Sequence, residues 1–388
     1  MHRSALTRCD DEVAPRRRET PSLRLGLVGV LLTTGLSLPV IALDAQSPRP
    51  SAATVQTIEH RLLPTRPFGV HLSDKPYVTL GGLLDDERAE FDSRHFFLTA
   101  AQLSDGRIVV MDRTALKFFD ARGVLLRVAG RLGSGPSEFR ETRDLCVLRG
   151  DTILVVHGGD GRLSIWTSAG VFVRAYQRPP GFTVFDACHN DGTIVVRGGG
   201  QRGANEYRTL RPDGTEVASL GRVVEPRYNS PFMTEPYVLP TASGYVVADA
   251  RQYAFWFVNR FGTPTRVVRA GPTLKRLSEA EWLAVAQRVF PQSPEAGRRL
   301  AEGDTLRTMP AFSAMRADPL GRVWIRDQQP PHGWNVFDPS GAIIGRVLLR
   351  SMFESMRELV RVGADYAVVR RPGPDGEVYL DFHRMYPK

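Results

Sequence analysis

Apolar residues in this chain come in short runs separated by turn residues at regular intervals. Ile108–Asp112 (IVVMD) and Leu116–Phe119 (LKFF) lead into the turn Asp120–Gly123 (DARG), then Val124–Val128 (VLLRV). This is the signature of an antiparallel meander. The same pattern returns in Ile153–Val156, Leu163–Trp166, the turn ending at Gly170 and Val171–Val173. It returns again around Ile194–Val196 and Gly214, around Tyr245–Val247, Phe255–Val258 and Gly262, and around Val323–Ile325, Trp334–Phe337 and Gly341. The turn glycines at 123, 170, 214, 262 and 341 are spaced 47, 44, 48 and 79 residues apart. A period in the mid-forties with four strands per unit predicts propeller blades, and the long last gap predicts an insertion.

The units fall at about 97–139, 140–180, 181–223, 236–271 and 312–350. Past them, Leu359–Val362, Tyr366–Val369 and Glu377–Phe382 supply only three strands, while Pro76–Gly81 is a lone strand before the first unit. An orphan at the start and a vacancy at the end predict that the N-terminal strand completes the last blade, because a closed ring leaves no free end edges. The fold expected is therefore all-β, a six-bladed β-propeller over 76–388, with a small helical insertion at 272–311 between blades 4 and 5. Within the insertion, Ser278-x-x-Glu281 is a capping box, Trp282, Val285, Ala286 and Val289 share one helical stripe, and Ser293-Pro294 opens a second helix ending at Gly303. It reads either as a lid over the channel mouth or as a packed excursion.

Ahead of the repeats, residues 1–45 read as a secretory signal peptide: a basic region ending in Arg16-Arg17-Arg18 and Arg24, an uncharged run Leu25–Ala42, and small residues at Ala42 and Ala45. The 18-residue apolar run is also long enough to be retained as an anchor. Residues 46–75, with Pro48, Pro50, Pro64 and Pro67, read as a Pro-rich linker. The expected location is exported, periplasmic or extracellular. Export bears on the cysteines: Cys9 leaves with the leader, and Cys146 and Cys188 remain either as a disulfide or as two buried thiols.

The chain has 388 residues, 24% of them charged, and a formal net charge of +9. Lysine occurs only at 75, 117, 275 and 388, so the positive charge is arginine scattered through strands and turns. There is no basic stripe with interleaved aromatics, and the chain is expected to be exported, so nucleic acid is not an expected partner.

The run Phe139-x4-Asp144-Leu-Cys-Val147, Gly150–Val156, Gly161–Trp166 resembles an NHL-type propeller repeat. Gly130-Arg-Leu-Gly133-Ser-Gly135-Pro136-Ser-Glu138-Phe139 resembles the Gly-Arg-x-Gly-x-Gly-Pro-Gly-Glu-Phe connector of exported bacterial six-bladed propellers related to NHL repeats, with Ser137 departing from the usual Gly. The resemblance covers roughly 77–386 and implies fold far more than chemistry.

Strand order places the A–B and C–D turns on one face and the B–C and D–A connections on the other. The first set is tight and the second carries every long loop, including Gly130–Phe139, Gly198–Tyr207, Gln328–Trp334 and the insertion. Binding is expected on the loop-rich face, with Arg131, Glu138, His157, His332 and Trp334 as candidate ligand residues. The partner expected is a peptide, glycan or protein met by a monomer, with membrane contact only if the leader is retained.

No Gly-x-Ser-x-Gly or other nucleophile signature occurs, and the histidines at 60, 71, 95, 157, 189, 332 and 383 lack paired ligand spacing. Neither a catalytic residue, a cofactor nor a resident metal is expected. Asp112, Asp249 and Asp327 follow the B strands and are expected to cap the B–C turns. Asp144 and Asp186 sit at the start of inner strands, where channel carboxylates could take Ca²⁺. That motivates the alternative, a metal-dependent hydrolase or lyase of the lactonase kind.

Overall fold

The computed structural model describes residues 55–82, 86–93, 97–158, 161–177, 182–199, 205–222, 237–271, 274–328, 332–349 and 358–387. The leader 1–45, His95 and parts of two loop-face connections (200–204 and 329–331) lie outside the described residues.

Six antiparallel sheets form the ring. Blade 1 is Thr99–Gln102, Ile108–Asp112, Ala115–Phe119 and Leu125–Ala129, and blade 2 is Thr142–Val147, Ile153–His157, Arg162–Trp166 and Phe172–Gln177. Blade 3 is Phe182–Cys188, Ile194–Gly199, Asn205–Leu210 and Glu216–Arg222, and blade 4 is Tyr237–Thr241, Gly244–Asp249, Ala254–Asn259 and Pro264–Ala270. Blade 5 is Phe312–Ala317, Val323–Asp327, Trp334–Phe337 and Ile343–Val347. Blade 6 takes Glu358–Val362, Tyr366–Pro372 and Val378–Pro387 from the C-terminus and Val78–Gly81 from the N-terminal side. In blades 1 to 5 the strands, called A to D from the axis outward, follow chain order, and in blade 6 the N-terminal Val78–Gly81 takes the D position. Neighbouring A strands lie against one another, blade 6 against blade 1 included.

The ring closes as the sequence predicts. Val78–Gly81 pairs antiparallel with Val378–Pro387 in the register Leu80↔Leu380. Six apolar clusters explain why: each is shared by two adjacent blades, so no sheet keeps an uncovered face. Val78, Leu80, Phe119, Val368 and Phe382 belong to the cluster between blades 6 and 1. Trp324, Trp334, Val336, Val369 and Met385 belong to the one between blades 5 and 6. The B strands sit between two such clusters, which is why they read as continuous apolar runs such as IVVMD and ILVVH, buried at every position. The turn glycines 123, 170, 214, 262 and 341 all have φ between +73° and +90°, a region closed to most side chains.

The segment expected as a linker is structured from residue 56 onward, and the expectation is corrected there. Gln56–His60 adds a parallel strand outside blade 4, with Ile58 opposite Val268. Phe68 bridges to Arg346 on the outer strand of blade 5, and Val70–Leu72 pairs with Met385–Pro387 of blade 6. This belt covers the outer edges of blades 4 to 6, satisfying backbone groups that an edge strand leaves open. Pro64 and Pro67 lie between its pairing segments, which is why the composition resembles a linker.

The insertion is a helical hairpin, α1 (Glu279–Val289) and α2 (Pro294–Gly303). Ser278 and Glu281 form the expected reciprocal cap. Trp282, Ala286 and Ala301 make a small core of their own with Leu277 and Met309 at its margin, whereas Val289 stays 40% exposed. The neck is stitched by the Arg276↔Thr308 bridge and fastened to blade 4 by the Ala311 N–H donating to the Ala250 carbonyl at 2.7 Å. No helix among the described residues is long and apolar enough to cross a membrane.

Candidate functional site

The two faces differ as the turn pattern predicts. The A–B and C–D connections are never longer than five residues, whereas the D–A connections run from four to forty-one. The short turns satisfy themselves: Asp120 Oδ1 accepts the Arg122 and Val124 N–H groups at 2.9 and 2.8 Å, and Asp338 Oδ1 does the same for Ser340 and Ala342.

On the loop-rich face, the Gly130–Phe139 connector is braced from within. Glu138 accepts the Gly135 N–H and pairs with Arg131, both at 2.8 Å, and those two donors hold its carboxyl below the usual range. Arg162, from blade 2, donates to the carbonyls of Gly135 and Glu138 at 2.5 and 2.7 Å. Arg131 keeps 82% side-chain exposure and is the candidate most open to a partner. His332 is half-buried on blade 5, its Nδ1 lying 3.3 Å from the Asp327 carbonyl.

Two candidates must be corrected. His157 is 2% exposed and Trp334 1% exposed, so neither presents a surface to a ligand. His157 stacks on Phe139 at 5.1 Å and shares the Ser164 hydroxyl with Trp166 Nε1, each at 2.8 Å. Trp334 fills the core between blades 5 and 6. Both flank loops in sequence, but their side chains point inward.

His157 belongs to a feature that the sequence reading missed. Among the described residues, four blades carry a polar pair that links the end of the B strand to strand C. The pairs are Asp112–Lys117 at 2.9 Å, His157–Ser164 at 2.8 Å, Asp327–Asn335 at 2.8 Å and Arg371–Asp381 at 2.6 Å. The residue types change while the position is kept, so the pairs serve the blade. Asp249 caps its turn as expected, accepting the Arg251 N–H at 2.9 Å. Asp112 does so too, from Arg113 at 2.8 Å. Asp327 instead pairs with Arg346 at 2.5 Å, and burial pushes its carboxyl up against the pull of that guanidinium.

The channel holds the second group. Asp144 and Cys146, on the blade 2 A strand, are two residues apart and so share a face. Cys188 stands on the neighbouring A strand and is bridged to Cys146 with Cα atoms 6.3 Å apart, which resolves the open choice in favour of the disulfide. Arg361, from blade 6, reaches past blade 1 to donate to the Leu145 carbonyl and stands 3.9 Å from Asp144. Arg316 of blade 5 pairs with Glu358 at 3.2 Å. Asp144 keeps 39% side-chain exposure, and desolvation by the protein around it raises its pKa against the opposing Arg361. One ligating atom each of Asp144, Cys146 and Cys188 lies within 4.8 Å of the others. The side chain of Asp186 lies outside what is described, so the Asp144/Asp186 pairing is not part of this geometry. Arg361 and Arg316 were also missed. Each is the penultimate residue of its A strand, as Cys146 is of its own, and aligning the repeats by strand would have marked them as channel residues.

No family model matches the chain, and no curated protein matches its sequence. Solved structures do match. A candidate exported protein of Bacteroides fragilis NCTC 9343 aligns over 86% of this chain and 100% of its own, at TM-score 0.53 and 10% identity. A member of the DUF4221 family from Bacteroides vulgatus ATCC 8482 aligns over 82% and 99%, at TM-score 0.50 and 10% identity. A streptogramin B lyase aligns over 83% and 97% at TM-score 0.41 and 11% identity, too loosely to argue from. At these identities the likeness speaks for a shared fold, the six-bladed β-propeller, and for nothing finer.

Proposed function

We propose that the chain is an exported, non-catalytic propeller, monomeric, that binds a peptide, glycan or protein partner on its loop-rich face. The observation that carries this reading is the asymmetry of the ring: every connection between blade strands longer than six residues, the helical hairpin included, joins a D strand to the next A strand. Loops held by a rigid scaffold are where recognition concentrates. Arg131, with Glu138 fixing its base, and His332 are the residues of the original candidate set that remain available on that face.

The test is to screen the purified chain against peptide and glycan arrays, then repeat the screen with residues 277–307 replaced by a short turn. The paired neck at Arg276 and Thr308 lets the excision leave blades 4 and 5 joined as they are. Binding that is lost or weakened at least about tenfold supports the reading; binding that survives excision and Arg131→Ala together removes it from this face.

The second reading, a metal-dependent hydrolase or lyase working in the channel, draws on Asp144 standing beside the cysteine pair. Turnover of lactones or esters that stops with a chelator would favour it.

A further inference from the structure

The channel cluster carries an inference of its own, independent of partner binding on the loops. We propose that Asp144, Cys146 and Cys188 form a redox-gated site for one thiophilic divalent cation, of which zinc is the chemical type. Oxidised, the two sulfurs are joined and the site is closed. A dithiol reductant opens it: the S–S bond breaks, two electrons and two protons arrive as the reductant becomes its own disulfide, and two thiols are left. The cation then displaces both thiol protons to solvent and binds two thiolates and the Asp144 carboxylate.

Three observations converge on this. The first is reach. The ligating atoms already lie within 4.8 Å of one another, and zinc takes sulfur at about 2.3 Å and carboxylate oxygen at about 2.0–2.2 Å in a tetrahedron. Once the S–S bond is broken, the sulfurs need only part to roughly 3.8 Å, the edge of a tetrahedron with bonds of about 2.3 Å, while the Asp144 carboxylate closes on the ion between them. The backbone is fixed by two hydrogen-bonded A strands, one of which carries Asp144 and Cys146 on the same face.

The second is charge. Two thiolates, one carboxylate and a divalent cation sum to −1, and Arg361, 3.9 Å from Asp144, returns the group to neutrality. A hard cation held by Asp144 alone would instead face that guanidinium with no thiolate to offset it. The donor set thus selects a soft, sulfur-seeking cation over Ca²⁺.

The third is surroundings. Cys146 and Cys188 are 8% and 9% exposed, so thiolates there are sheltered, while the Asp144 side chain keeps 39% exposure. The three protein ligands leave a fourth position for water or a small anion. Arg361 also carries a buried Nε–H without an acceptor among the described residues, and a thiolate or a metal-bound anion would supply one.

The experiment is anaerobic reduction of the purified chain, removal of the reductant, and titration with Co²⁺ followed by Zn²⁺ competition. The readouts are the thiolate-to-cobalt charge-transfer band, stoichiometry, and circular dichroism to follow the fold. The result expected is one Co²⁺ per reduced chain, displaced by Zn²⁺, and none per oxidised chain. Asp144→Asn should weaken binding by at least about tenfold, since loss of an outer hydrogen-bonding partner alone costs roughly 10–100-fold. A Cys146→Ser/Cys188→Ser variant should fold, carry no disulfide and give no charge-transfer band. The proposal is overturned if the reduced chain keeps its fold and binds nothing, if the double variant or the oxidised chain binds as well as the reduced one, or if reduction dissolves the propeller.

Discussion

Leu80 offers the sharpest test of how the ring is held. It sits mid-strand in Val78–Gly81, opposite Leu380, is 2% exposed, and packs in the cluster with Phe91, Phe119 and Phe382. Burying a leucine contributes about 1.5–3 kcal/mol. Truncation also leaves a cavity that a cluster of aromatic rings collapses into poorly, so Leu80→Ala should cost about 2–5 kcal/mol. Against a total of about 5–15 kcal/mol, that is a large fraction from one side chain about 300 residues from its pairing partner. The loss should appear as a lower urea midpoint with unchanged slope, read by tryptophan fluorescence, with Leu62→Ala (83% exposed) as a control within about 0.5 kcal/mol of wild type. If Leu80→Ala behaves like Leu62→Ala, the N-terminal strand does not close the last blade and the ring argument fails.

Other consequences follow from the same packing. Asp327→Ala removes the carboxylate 2.5 Å from the Arg346 guanidinium, whose side chain is 3% exposed, and breaking that buried pair should cost about 3–5 kcal/mol in chemical unfolding; full stability would mean that water reaches the pair. Burial lowers the His189 pKa from 6.5 to about 4. The neutral ring is thus favoured in the fold, and its stabilisation is present above pH 6.5 and lost as pH falls toward 4. Wild type should lose about 2 kcal/mol between pH 7 and pH 5 that His189→Gln does not lose, and parallel pH profiles would exclude that role. Reducing the Cys146–Cys188 bridge, which closes a loop of 42 residues, should cost roughly 3–5 kcal/mol; a midpoint insensitive to reductant would show that the bridge is absent in solution.

The blades were legible because their signals are local. A turn glycine, an alternation and an apolar B strand each fit within ten residues and recur. Ring closure was legible by counting strands. The belt was not: Gln56–His60 pairs in parallel with a strand more than 200 residues away, and nothing in QTIEH announces that partner among prolines and threonines. The candidate site failed in a related way. His157 and Trp334 flank loops, and sequence position alone does not say that a strand-end side chain turns inward. The signal that would have helped is parity: His157 and Ser164 fall at repeat positions that other blades fill with Asp–Lys, Asp–Asn or Arg–Asp pairs. Strand alignment would have placed Arg361 in the channel, but not its contacts, because it acts on a blade that is not its neighbour.

The most direct measurement is the affinity of a ligand selected on the arrays for three chains: wild type, the chain trimmed at 277–307, and one altered on the tight face at Phe261 and Leu320, both exposed. The account expects the trimmed chain to lose affinity at an unchanged melting temperature and the tight-face variant to bind as wild type does. Binding that follows Phe261 and Leu320 instead, or a ligand that the wild-type chain converts into product, would contradict it.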